Sequence, residues 1–197
     1  MQEVVFEGPY VLDETRDNFL YKEPQRDYRN GLYIMAWKYK GKYYPHYIGM
    51  TEGDFTTRIA THLRNYLSGS YYICSPHYLN KACESTHKGY HLREAEEKYF
   101  YGPPDENNFF NSFLPCFQDD NFISELRNYI FNLEFFLAPL PEAGQNELLA
   151  LEDYLSYKAY NSEAQYVIES PRPKRESHEE LGDIEVKFKS DITSVFK

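Results

Sequence analysis

"GLYIMAWKYKGKYYPHYIG", residues 31–49, sets two aromatic, β-forming runs around Lys40-Gly41-Lys42, and its reading decides the fold. Residues 32–39 alternate well enough for a strand, and residues 42–49 supply its hairpin partner. If Lys40-Gly41-Lys42 is a three-residue loop, Tyr39 pairs with Tyr43, residue 35 lies opposite 47, and residue 33 lies opposite 49. Tyr33 and Tyr47 then share one face as diagonal neighbours, about 7–8 Å apart. Pro45 has no N–H for a ladder, so the second strand is expected at a sheet edge or bulged at that point. Gly31 and Gly49 flank the two phenols and leave room for close approach by a backbone or a ligand.

Downstream, "TEGDFTTRIATHLRNYLSG" (51–69) reads as an amphipathic helix. Asp54 is its N-cap, Gly69 its stop, and Phe55, Ile59, Leu63 and Tyr66 form its apolar stripe. Residues 70–125 are irregular and form an insert with short helices, "LREAEEKYFY" (92–101) being the best helix candidate. "NYIFNLEFFLAPL" (128–140) is aromatic, β-prone and proline-bounded, and reads as a buried strand. Pro141 opens a second amphipathic helix through Asn161, with Leu148, Leu151 and Leu155 on one face. Upstream, residues 1–30 read as a leader with one short strand at 4–6. Residues 162–197 form a C-terminal extension, in which "SPRPKRESHEE" (170–180) is a linker and "IEVKFKSDITSVF" a terminal strand. The order of hairpin, helix, insert, strand and helix predicts one α/β (α+β) domain over 31–161. Its core is a small mixed or antiparallel three-stranded sheet flanked by helices.

The net charge is 21 minus 31, or −10, the wrong sign for a generic nucleic-acid binder. The charge is uneven, however. Residues 31–70 carry five basic side chains (Lys38, Lys40, Lys42, Arg58, Arg64) against Glu52 and Asp54, whereas residues 105–153 carry ten acids against Arg127. Screening confines the repulsion of the acidic part to about 8–10 Å, so the basic region can still meet phosphate. No apolar run approaches the ~18 residues of a membrane span. The acidic start predicts no secretory signal, and three cysteines (Cys74, Cys83, Cys116) fit a reducing cytoplasm.

The side chains that could carry chemistry lie on these elements. Arg58 and His62, four apart, project from one helix face at the rim of the apolar stripe and can touch the same object. Arginine offers a fixed fork of donors to phosphate, and histidine exchanges a proton near neutral pH. Glu152 sits four after Leu148 and three before Leu155, a carboxylate among leucines that calls for a partner or a metal ion. Taken singly, each has a plainer reading: tyrosines suit hairpins, and Arg58 and His62 suit a solvated helix edge. Their joint order favours a site.

Together these pieces resemble the GIY-YIG endonuclease family. Its signature is a Gly-Ile-Tyr strand, a Tyr-Ile-Gly strand, a helix with Arg and often His one turn on, and a later helix with Glu followed by Asn. Here these are Gly31-Leu32-Tyr33, Tyr47-Ile48-Gly49, Arg58 with His62, and Glu152 with Asn161. Leu32 replaces the isoleucine, the insert is longer than in the minimal module, and the Glu152-to-Asn161 gap is short. The resemblance implies metal-assisted phosphodiester hydrolysis of DNA, duplex DNA being the expected partner. Glu152 would hold Mg²⁺ (or Mn²⁺), and Tyr33 would be general base toward water. Arg58 would offset charge on phosphorus, Tyr47 would position phosphate or water, and Asn161 would brace the site. An unperturbed phenol, with a pKa of ~10, needs help to lose its proton, from Lys40, Lys42 or His62. Cutting both strands requires two sites or two visits, so a homodimer is one arrangement.

Two rival readings stand beside this one: a nuclease for RNA or branched DNA, and a silent binding module whose acidic surface docks a basic protein. A separate constellation, Cys74, His77, Cys83, His87 and His91, spaces Cys-x2-His and Cys-x3-His as a structural zinc site could. The spacing is not that of a standard finger, and polar surface with partly buried thiols is the preferred reading.

Overall fold

The structure, a computed structural model, describes residues 2–22, 28–71, 73–84, 99–101, 109–161 and 184–189. The hairpin is its centre. β2 (Arg29–Tyr39) and β3 (Lys42–Asp54) are antiparallel and are joined by two residues rather than three, since Tyr39 pairs with Lys42. Lys40 and Gly41 both have positive φ (48° and 74°), the tight-turn geometry that matches strand twist.

The shorter turn alone would put Tyr47 opposite Ile34. A bulge corrects it. Ala36 pairs with Pro45 but Met35 pairs with Tyr47, so His46 is an extra residue. Because side chains alternate with period two, one added residue moves everything beyond it to the other face. Before the bulge, Tyr43 lies over Phe136 on one face; after it, Tyr47 joins Tyr33 on the opposite face. Pro45 therefore stands both at a bulge and on an edge strand.

The sheet is five-stranded, in the order β3-β2-β6-β1-β7, with β1 (Gln2–Tyr10), β6 (Leu133–Pro139) and β7 (Ile184–Phe188). This corrects the three-stranded expectation. The predicted strand at 4–6 is the middle of β1, which pairs antiparallel with β6 and parallel with β7. The chain remains α+β. Tyr33, Met35, Trp37, Phe135 and Leu137 face one side, where α1 (Phe55–Leu67), α2 (Pro76–Glu84), α3 (Phe109–Cys116) and α4 (Asp120–Phe131) complete the core. Leu32, Ile34, Ile48, Phe136 and Ala138 face the other side, which α5 (Gln145–Asn161) covers with Leu151, Leu155 and Ala159.

Other expectations shift. Residues 128–131 close α4 instead of opening the strand, because Tyr129 and Ile130 lie on its buried side. Tyr99–Tyr101 is a short strand, β5, paired with β4 (Ile73–Cys74), not the end of a helix; residues 92–98 and the linker at 170–180 lie outside the described residues. None of the helices is long and apolar enough to cross a membrane, among the described residues.

Two local devices position the site. Asp54 caps α1 by accepting from the Thr57 amide at 2.6 Å. Hydrogen bonds from Thr57, outweighing burial and aided by Thr56 and Arg29, hold its carboxyl down to about 2. Asn30 (φ 50°) places Nδ2 2.7 Å from the carbonyls of both Leu140 and Ala143, and its own carbonyl accepts from the Leu140 amide at 2.7 Å. The loop that launches α5 is thereby fastened to the residue just ahead of Gly31. Gln145 Nε2 adds a bond to Glu52 Oε2 at the end of β3, 2.8 Å.

Candidate active site

The two strands and α1 bring four of the predicted side chains together. Tyr33 and Tyr47 stack with ring centroids 6.0 Å apart and planes 28° from parallel. The His62 ring lies 4.9 Å from that of Tyr47 and 5.8 Å from that of Tyr33. Arg58 Nε–H donates to Tyr33 Oη at 3.2 Å, and Tyr33 Oη meets His62 Nε2 at 2.7 Å. With the Tyr33 oxygen accepting from arginine and His62 protonated on Nδ1, the phenolic hydrogen points at the imidazole.

Depth divides these groups. Tyr33 is completely buried, and His62 is buried rather than at the rim predicted from helix periodicity. The cause is the aromatic box: Tyr33, Tyr47 and Tyr71 each pack a ring against His62, which takes an inward place while Leu63 stays only half-buried. Tyr47 and Arg58 are half-buried and form the outer layer.

Gly49 makes this stacking possible. A Cβ there would stand 2.5 Å from Tyr33 Oη and 2.6 Å from Tyr47 Cε1, so its clearance is filled by the phenols rather than by a ligand. Gly49→Ala is therefore expected to destabilise the protein by about 1–3 kcal/mol through overpacking. Because Tyr33 is pinned by Arg58 and His62, the shift should displace the site itself; calorimetry would show the loss of stability.

Glu152 comes from the other face of the sheet. α5 packs against β2 and the edge strand β3, and Glu152 is half-buried beside Leu151. Burial pushes its carboxyl up to about 7, with the Arg58 charge opposing and Asp153 adding. Burial likewise raises the Tyr47 phenol, and the charge of Glu152 raises it further. The acid is thus within electrostatic reach of both the guanidinium and the outer phenol. Burial, then Tyr47, push the Tyr33 phenol well above the tyrosine range, with Arg58 opposing. Asn161 ends α5.

Lys40 and Lys42 are too distant to aid Tyr33. Lys40 lies seven residue steps along the chain from Tyr33, about 23 Å of extended chain, and is engaged by Glu84 at 2.7 Å. Of the three candidates to accept or relay its proton, only His62 touches the phenol.

Sequence reasoning missed Tyr71, whose ring lies 5.7 Å from His62. It follows the helix stop, where periodicity no longer projects a direction, and no local signal marks it. The zinc reading fares differently. Cys74 and Cys83 are buried on β4 and α2, His77 is exposed, and His87 and His91 lie outside the described residues. Burial, then the charge of Glu84, push the Cys83 thiol up to about 12. Among the described residues no three His, Cys, Asp or Glu side chains gather as a metal site. Comparison with protein-family models, with curated proteins and with solved structures gives no match.

Proposed function

We propose that this chain is a metal-dependent endonuclease of GIY-YIG type, hydrolysing DNA phosphodiester bonds at the Tyr33–Tyr47–Arg58–His62–Glu152 cluster. The observation that carries the reading is the buried relay from Arg58 through the Tyr33 hydroxyl to His62 Nε2. A structural tyrosine needs one partner for its hydroxyl. This one is held between a guanidinium and an imidazole, and the guanidinium in turn feels the charge of a carboxylate whose desolvation disfavours ionisation.

The residues fit a single hard cation. Glu152 is one partly desolvated carboxylate within electrostatic reach of Arg58, and Mg²⁺ binds through one or two carboxylates plus phosphate oxygens while keeping several waters. When bound, Mg²⁺ or Mn²⁺ supplies Lewis acidity to a phosphate oxygen and steadies the leaving oxygen. Glu152 would hold it. Arg58 presents its remaining N–H donors to the phosphate and neutralises charge that grows at phosphorus. Drawn toward phosphate, its guanidinium leaves Tyr33 and uncovers a phenol that is otherwise closed to water. Tyr33 then takes the proton of the attacking water as its own passes to His62 Nε2, which answers the problem of a raised phenol pKa. Tyr47, in the outer layer, orients the phosphate or the water.

Supercoiled plasmid incubated with the protein should be nicked in Mg²⁺ and left intact in EDTA. Inactivity on DNA and RNA across a range of divalent ions would overturn the reading in favour of a binding module. Cleavage of RNA or branched DNA alone would keep the site and change the substrate.

A further inference from the structure

Tyr71 stands where the chain doubles back after α1. The amides of Ser70 and Tyr71 both donate to the Asn65 carbonyl, at 2.8 and 3.2 Å, which fixes the exit from the helix. The ring is held on two sides: tilted 53° against His62 at 5.7 Å, and edge-on to the buried Tyr66 at 5.5 Å and 78°. Its residue is half-exposed, in the same outer layer as Tyr47 and Arg58. Both of those side chains feel its phenol electrostatically. Among the described residues that hydroxyl makes no hydrogen bond.

A ring so enclosed offers little face for a base to stack on. What it offers is an O–H on a ring held by two neighbours, within electrostatic reach of a guanidinium. We propose that Tyr71 is a third phenol of the site, its hydroxyl donating to a phosphate oxygen of the bound DNA strand next to the oxygens taken by Arg58. This rests on the endonuclease reading and adds to it a binding contact outside the motif residues. The role is positioning of the strand and includes no proton transfer. A neutral hydroxyl also adds a contact without raising the charge already concentrated at Arg58.

The test uses the full chain and a fluorescein-labelled DNA duplex. Affinity is read by anisotropy in EDTA, where no cutting occurs, and kcat and KM are read in Mg²⁺. A hydrogen bond to a charged oxygen gives an expected weakening of about 10-fold in both Kd and KM for Tyr71→Phe. Its kcat should stay near wild type, and its melting temperature should be unchanged because the ring contacts remain. Tyr71→Ala, which removes the ring too, should lower the melting temperature as well. If wild type cuts and Tyr71→Phe matches it in Kd and KM, the Tyr71 contact is refuted and the endonuclease reading stands. A fall in kcat at unchanged KM would refute the binding role as well. If wild type neither binds nor cuts DNA, both fall together.

Discussion

Glu152→Gln should abolish plasmid nicking and yet leave the folded protein more stable than wild type at pH 8. The first half follows from the loss of the charged oxygen that would hold the cation; several kcal/mol of transition-state stabilisation amounts to about a 1,000-fold fall or more. The second half follows from burial. The carboxyl holds its proton up to about 7 in the folded chain, against 4.5 for the unperturbed group. Between those two values the folded state binds more protons than the unfolded one, so stability falls as pH rises through that window and levels off above it. At pH 8 wild type carries the full cost of a buried charge, about 1–2 kcal/mol once solvent screening is allowed for, and glutamine relieves it. At pH 4 both forms are neutral and the difference should vanish. Thermal melts at the two pH values check this, and Mg²⁺ should raise the wild-type midpoint at pH 8 but not that of the variant. A Glu152→Gln protein that nicks normally, or melts lower than wild type at pH 8, would sink the assignment.

Tyr33→Phe should lower kcat by about 100- to 10,000-fold, the range for removal of a general base. DNA affinity should stay close to wild type, because the buried phenol touches no substrate before Arg58 moves. Some stability should go as well, about 1–3 kcal/mol, since Arg58 Nε and His62 Nε2 each lose a partner. His62→Ala should slow cleavage comparably, and the double variant should be no slower than the worse single one, as expected for groups that act as a unit. Multiplying effects in the double variant would show that phenol and imidazole work separately.

The hairpin was legible because its turn residues and aromatic runs are local. Its registration at Tyr33 and Tyr47 came out correctly for an unexpected reason. The spacing predicts a three-residue loop, the real turn has two, and the bulge at His46 restores the missing residue. α1 was readable from Asp54 to Gly69, but the depth of His62 was not, since three rings from other elements decide it. Strands β1 and β7 add to the sheet by pairing residues about 180 positions apart, which leaves no local trace. Glu152 stands out in the sequence by its leucine neighbours. That α5 lies across the far face of the sheet and packs against edge strand β3 depends on packing that no spacing in the chain encodes.

Asn30 has a consequence for how this protein can vary. Its side-chain amide joins backbone positions 110 and 113 residues further on, so the start of β2 and the loop ahead of α5 are sutured directly, whatever the length of chain between them. Closing a longer or shorter excursion changes the entropy only slowly, by about 0.6 kcal/mol per doubling of length. The stretch between α1 and β6 could therefore change in size without parting the start of β2 from the loop ahead of α5.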